Sequence, residues 1–312
     1  MTDAIDPLTG AGFDALWNGE IEPQLRKLEG ERKVAMGRSQ LIWTAFAALV
    51  ALEAVATLAI TKGARLIPEE HLLFFTLFGG AFIGYLPLQL VAGKTKRRLI
   101  QTLCAPMGVS YESGPGEPDV FARLLSLNLL PKPEGKSFED LFRGRRGPSD
   151  FMLCESTLTV GSGKSRRTVF QGQIFNIAFP RRFLGTTVVL RDSGWLNRFE
   201  RPRGLEKVGL EDPHFEEVFE VFGDDQVEAR AILTPTFMER LVALESAYAG
   251  HNLRCGFCDG RLMIALEGKD RFEVGSMFAT LDDRGRAVKM ASDIKAVFNL
   301  IDSFVAAPAA LR

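Results

Sequence analysis

Two stretches of the chain, Leu41 to Ile60 and Leu72 to Val91, are apolar almost without interruption. Each has about the 20 residues that a helix needs to cross a bilayer core. The first holds one ionisable residue, Glu53, and the second holds none. Between them, Thr61 to His71 carries Lys62, Arg65, Glu69, Glu70 and the turn-former Pro68, so the pattern predicts an antiparallel transmembrane hairpin. The chain then divides into an N-terminal cytosolic amphipathic segment over 1–40, the hairpin over 41–93 and a cytosolic domain over 94–312.

Outside the hairpin the period of the apolar positions changes from element to element. Met1 to Gly12 is small and polar and reads as loose. Phe13, Leu16, Trp17, Ile21, Leu25 and Leu28 recur at helical spacing, interrupted by Pro23. That helix either anchors at the membrane interface through Trp17 or packs as an ordinary helix. Met107 to Glu112 reads as a short strand, and Pro118 and Asp119 introduce a helix through Leu127 that stops before Pro131. Lys132 to Ser149, with three glycines and the cluster Arg143, Arg145 and Arg146, reads as an exposed basic loop. Strands are expected at Phe151 to Val160, Thr168 to Phe179, Thr186 to Arg191 and near Arg271 to Val274, and a final helix from Ser292. The resulting class is α+β, with antiparallel β-hairpins and packed helices.

Charge sets the orientation rather than the fold. Arg26, Lys27, Arg32, Lys33 and Arg38 precede the first span, and Lys94, Lys96, Arg97 and Arg98 follow the second. The link has only Lys62 and Arg65, so both termini are expected in the cytoplasm of a two-span inner-membrane protein. An apolar core beginning at Leu41 lies too far in for a cleaved signal peptide. The formal net charge of −1 offers no basic excess to attract nucleic acid. Four cysteines in such a chain do not make a disulfide scaffold and are expected to be reduced.

Inside the second span Gly80 and Gly84 form a G-x-x-x-G pair, which admits a close helix. Either the first span or a second copy of the chain could fill it. A tight hairpin places Glu53 roughly opposite Gly79 and Gly80. A lone carboxylate there costs about 2.5–3.5 kcal/mol on insertion scales, which favours protonation or a polar partner such as Thr57. Glu53 is therefore read as a neutral structural group, with proton or ion handling as the alternative.

Several motifs imitate chemistry. Gly161-Ser-Gly-Lys-Ser165 looks like the end of a phosphate loop, but Leu158 stands where the first glycine belongs and a strand-like run follows, so a hairpin turn is expected. Cys255-Gly-Phe-Cys258 has redox spacing without the required helix: Asp259-Gly260 and Arg261 to Leu266 after it predict strand, two-residue turn, strand. Residues three apart in a strand point to opposite faces, so Cys255 is expected in the core with Leu253 and Phe257, and Cys258 on the accessible side. Asp225 and Glu228 have capping-box spacing, and Thr234 caps a helix with Pro235 at its first position. Phe237, Leu241, Leu244 and Tyr248 make that helix's buried stripe. His71, His214 and His251 are scattered. No catalytic, cofactor-binding or metal-ligating residue is assigned, and no cofactor is expected.

Phe170 to Phe179, Leu210-Glu-Asp-Pro, Asp224-Asp-Gln-Val-Glu-Ala-Arg-Ala-Ile-Leu-Thr-Pro235 and Met238-Glu-Arg-Leu241, together with the two-span hairpin, resemble the bacterial membrane proteins called domain of unknown function 3137. The resemblance runs from about Phe13 to about Leu266. It implies two helices and a cytosolic domain, and relatives that work beside LemA-type membrane proteins; it supplies no catalytic residues. The function expected is a membrane-anchored cytosolic binding, scaffolding or sensing module. The alternatives are a membrane-bound enzyme whose site is not visible in sequence, and ion handling through Glu53. The partners expected are the lipid bilayer and another membrane protein or a second copy through Gly80 and Gly84.

Overall fold

The computed structural model describes residues 6–61, 70–179, 183–191, 202–247 and 252–305, with side chains except at 57–61, 70–73 and 247. The link 62–69 and Tyr248 therefore lie outside the described residues. The chain forms two compact units, one from Met1–Leu103 with Glu273–Ala291, the other from Cys104–Phe272 with Ser292–Arg312. Segment 273–291, which the sequence pattern places within 94–312, belongs with the long N-terminal helices.

The helical unit opens with α1 (Gly10–Leu16), a π-helical turn at Trp17–Ile21 and α2 (Glu22–Thr61). Pro23 does not break the rod. It lacks an N–H and its ring crowds the preceding turn; the wider π turn, closed by Glu22 N–H donating to the Trp17 carbonyl, leads into it. Of the segment read as loose, residues 1–5 lie outside the described residues, and residues 6–9 are ordered: the Asp6 carboxylate accepts from Leu8 N at 2.9 Å, and Leu8 is buried. Helix α3 (Glu70–Cys104) runs antiparallel to α2, as Lys94 to Glu31 at 2.6 Å and Thr102 to Gln24 at 3.3 Å show. Phe13, Leu16, Trp17, Ile21, Leu25 and Leu28 are all buried, as are Leu99, Ile100 and Leu103, so the amphipathic segment is a packed helix.

Farther along, α2 and α3 turn large apolar side chains outward, among them Leu41, Leu52, Phe75, Phe78 and Phe82. Both helices are long and apolar enough to cross a membrane, by length and composition.

In the second unit nine strands among the described residues form one antiparallel sheet. They are β1 (Ser110–Glu112), β2 (Gly135–Arg146), β3 (Ser149–Val160), β4 (Arg167–Ala178), β5 (Thr187–Arg191), β6 (Glu206–Val208), β7 (Phe219–Gly223), β8 (Arg254–Cys258) and β9 (Arg261–Glu267), ordered β1-β2-β3-β4-β9-β8-β5-β7-β6. Helices cover both faces. On one, α4 (Phe121–Ser126) and Leu127 to Leu130 meet Met152, Ile174, Val188, Phe222 and Met263. On the other, Phe237 of α7 (Pro235–Ala247) and Phe304 of α8 (Arg284–Val305) pack with tilted rings at 5.8 Å, and Phe298 of α8 packs on Phe151 at 5.8 Å. Short helices α5 (Pro213–Val218) and α6 (Gln226–Ile232) complete the unit.

The final helix begins at Arg284 rather than Ser292, and two further expectations fail. Lys132 to Ser149 is not an exposed basic loop, because Gly135 to Arg146 pairs with β3 along its length. A β-bulge between Glu139 and Phe142, with Asp140 at φ +43°, inserts an extra residue and destroys the alternation that marks a strand. Arg271 to Val274 is not a strand; its Phe272 instead lies against Phe142 at 4.7 Å, fixed by packing without a ladder partner.

Candidate functional site

Within the helical unit, Gly80 and Gly84 receive aromatic side chains of the same chain. A Cβ on Gly80 would meet the Phe46 ring at 2.5 Å, and one on Gly84 would run into Trp43, whose indole N–H reaches the Ala81 carbonyl at 3.4 Å. The first span thus fills the glycine face. Glu53 lies one turn farther along than expected, against Thr76 rather than Gly79 and Gly80: the Thr76 hydroxyl donates to Glu53 Oε1 at 3.1 Å. The side chain of Thr57 is outside the description.

The sequence motifs of the sheet unit resolve into local structure. Gly161 to Ser165 is the β3–β4 turn, with Gly161 at φ +78° and a single 3-10 turn at Gly163–Ser165. Arg145 pairs with Asp150 at 2.9 Å, while Arg146 bonds Asp302 at 2.8 Å and covers the Phe298 ring at 5.3 Å. Asp225 caps α6 by accepting from Val227 N at 2.9 Å and Glu228 N at 3.0 Å. Glu228 does not reach back to close a capping box. Its carboxylate takes the amides of Leu184 and Gly185, and Asp224 takes that of Thr186 at 2.6 Å, so the acidic motif clamps the approach to β5. A side chain at Gly185 would collide with both carboxylates.

Cys255 and Cys258 sit on β8 before an Asp259-Gly260 turn in which both residues have positive φ, +53° and +71°. Their thiols point to opposite faces, Cys258 into the cluster with Phe121 and Met263. Cys258 is nevertheless buried like Cys255, against expectation, because α4 covers its face as α7 covers the other. Burial raises both thiol pKa values, most at Cys255.

The arrangement with chemical potential was missed in the sequence. It lies where the β2 bulge meets β3, β4 and the segment after β9. Glu139 opposes Glu155 across β2 and β3, and Gln173 opposes Glu155 across β3 and β4. Gln173 Nε2 donates to Glu155 Oε1 at 3.0 Å, and Arg271 N donates to the same oxygen at 3.2 Å. Asp270 follows immediately before Arg271, and carboxylate oxygens of Glu139, Asp140 and Asp270 lie within 4.8 Å of one another. Asp140 is buried and accepts the Tyr111 hydroxyl at 2.5 Å. A cleft of about 80 Å³, lined by Glu139, Glu155, Gln171, Lys269 and Asp270, opens onto this group.

Burial, then the neighbouring Asp270 carboxylate, push Glu155 up to about 9, against the opposing pull of Gln173 and the Arg271 amide. Glu155 thus binds a proton more tightly than a solvated carboxyl does, with the Asp270 carboxyl beside it. Such a pair can store and relay a proton. Glu139, Asp140 and Asp270 offer hard oxygen atoms of the kind that suits Ca²⁺ or Mg²⁺. The signal for the site was Glu155-Ser156 in the middle of an apolar strand; its partners come from residues scattered along the chain.

Because the folded form of Glu155 binds its proton more tightly than the unfolded form, its burial costs nothing below about pH 4.5 and costs progressively more as pH rises towards about 9. Glu155→Gln keeps a carbonyl for Gln173 and Arg271 and an N–H for Asp270 without a charge to desolvate. We expect the variant to be the more stable protein at about pH 9 and its advantage to vanish near pH 4.5. Denaturant titrations across that range test this; equal pH slopes for the two proteins would contradict it.

Residues 168–305 match a family model described as protein of unknown function, DUF3137. The match contains both the Phe170 to Phe179 strand and the Asp224 to Pro235 motif; residues before 168 lie outside it. No curated protein matches the chain. Among solved structures, the mycobacterial trehalose monomycolate transport factor A, TtfA, is similar at 8% identity and a TM-score of 0.36, over 66% of this chain and 95% of that one. A likeness that loose assigns no residue and no activity.

Proposed function

We propose that this protein is a membrane-anchored binding or scaffolding module: α2 and α3 cross the bacterial inner membrane as a hairpin, and the sheet unit works at the cytoplasmic surface. The observation that carries the reading is the band of outward-facing Leu and Phe side chains on α2 and α3, from Leu41 to Val55 and from Phe74 to Leu90. Soluble proteins rarely expose contiguous apolar patches above a few hundred Å²; lipid covers such a band without cost. Lys and Arg flank both outer ends of the hairpin, which supports cytoplasmic termini. Binding is favoured over catalysis because the polar groups of the Asp224 to Arg230 motif are taken up by caps and backbone clamps. The raised proton affinity of Glu155 beside Asp270 supports the enzyme alternative, a membrane-bound acid–base catalyst.

A reporter active only in the periplasm tests the topology. Fused after Arg312 it is expected to give no signal, and inserted after Gly63 it is expected to give a strong one. Signal from the C-terminal fusion would overturn the proposed orientation. Affinity capture of the full chain from mild detergent then tests the binding reading, by co-purification of a stoichiometric membrane partner.

A further inference from the structure

The chain returns to the helical unit through Glu273–Ala291, and the first part of that segment is held with unusual firmness. The Arg32 guanidinium donates to the Met277 carbonyl at 2.9 Å, and Arg286 donates to those of Val274 and Ser276 at 2.7 and 2.6 Å. Leu281 N donates to Glu29 at 2.9 Å, and Phe278 N to the Ser276 hydroxyl at 3.2 Å. Met277 and Leu281 point inward, each 1% exposed. Between them Phe278 is 61% exposed. Hiding a phenylalanine from water is strongly favourable, yet this one is pinned in the open.

Its neighbours identify the surroundings it fits. The ring lies parallel to Trp43 at 6.3 Å and to Tyr85 at 6.2 Å, one residue from each apolar helix. Trp and Tyr concentrate where hydrocarbon meets headgroups. Trp43 stands five residues beyond Arg38, ~7.5 Å along the helix, and Lys94, Arg97 and Arg98 follow Tyr85 on the same, basic side. The Trp43 spacing matches the ~5–10 Å to which interfacial apolar groups sink below the headgroups.

We infer that Phe278 is a membrane wedge: a third bilayer contact, inserted at the headgroup–acyl boundary of the cytoplasmic leaflet beside Trp43 and Tyr85. The inference rests on the reading of α2 and α3 as membrane spans. It makes lipid the ligand of a loop that precedes α8, so that the position of the leaflet is felt by the segment between the sheet and the last helix.

The test uses the full chain in vesicles of phosphatidylcholine and phosphatidylglycerol. Cys104, Cys154, Cys255 and Cys258 are buried, so Phe278→Cys directs a thiol-reactive fluorophore to position 278. Phe75→Cys serves as the span reference and Ser162→Cys, at the exposed β3–β4 turn, as the water reference. The label at 278 is expected to be quenched by a nitroxide near the lipid headgroup and shielded from aqueous iodide. Iodide quenching equal to that at 162, with 75 shielded, overturns the wedge and leaves the spans intact. Iodide access at both 278 and 75 overturns the spans as well. Shielding at 278 without lipid quenching means that protein covers the site, and sinks the lipid assignment. Phe278→Trp, read by brominated lipids, repeats the test with a side chain that preserves the stack.

Discussion

Arg32→Ala is expected to destabilise the helical unit by about 3–5 kcal/mol, the loss typical when one partner of a buried ion pair is removed. Arg32 and Glu29 lie one turn apart on α2 and form a two-pronged pair, Nε to Oε2 and Nη2 to Oε1, each at 2.8 Å. Both side chains are at least nine-tenths buried. Neither charge is satisfied by the other alone: Arg32 also serves the Met277 carbonyl, and Glu29 also accepts from Leu281 N. Truncation leaves a buried carboxylate without its counter-ion. The Arg32 guanidinium holds Glu29 down at about 2, so the pair's contribution is present above about pH 4.5 and is lost as pH falls towards about 2. Replacing both, as Glu29→Gln with Arg32→Met, removes the stranded charge and should recover much of the loss. Denaturant titration of the full chain in detergent decides between these outcomes. A cost below about 1 kcal/mol for Arg32→Ala would class the pair with solvated surface bridges.

Phe257→Ala is expected to cost the sheet unit about 3–5 kcal/mol. Phe257 on β8 is fully buried, and its ring meets three others edge-on, Phe179 at 5.6 Å, Phe183 at 5.9 Å and Phe237 at 5.6 Å. These come from the end of β4, the approach to β5 and α7, so one truncation opens a cavity shared by three elements. The backbone there is held by Thr187 and Leu262 on either side and cannot collapse into the space. Phe257→Leu should lose roughly half as much. Thermal and denaturant melts of both variants provide the measurement; an alanine variant within about 1 kcal/mol of the parent would mean that the cluster repacks freely.

What could be read in the sequence was whatever local chemistry decides. The β8–β9 hairpin was legible because Asp259-Gly260 alone suits a two-residue turn with positive φ at both positions. The Asp225 cap and the Thr234-Pro235 helix start were legible for the same reason, and the two apolar helices from length and composition. Errors arose where the answer depends on a distant partner. Gly135 to Arg146 was hidden by its bulge, which spaces Phe138, Leu141 and Phe142 like no regular strand. Cys258 was misplaced because alternation assumes one wet face, whereas this sheet is covered on both. Glu53 found its described donor on the other helix, at Thr76, not within its own. The Glu139, Glu155 and Asp270 group needed the register of three strands before it existed.

The interleaving of the two units sets an order on biosynthesis. Helices α1 to α3 leave the ribosome first, but the surface that receives Met277, Leu281, Ala287 and Met290 stays bare until the chain has been made through Ala291. At about 5–20 residues per second the intervening sheet takes on the order of ten seconds or more to synthesise. During that interval the nascent hairpin is incomplete, with Arg32 lacking the Met277 carbonyl and Glu29 lacking the Leu281 amide. A stop codon after Phe272 would therefore leave neither unit whole: the sheet unit would lack the end of α8, and the helical unit the segment that its only described buried ion pair holds.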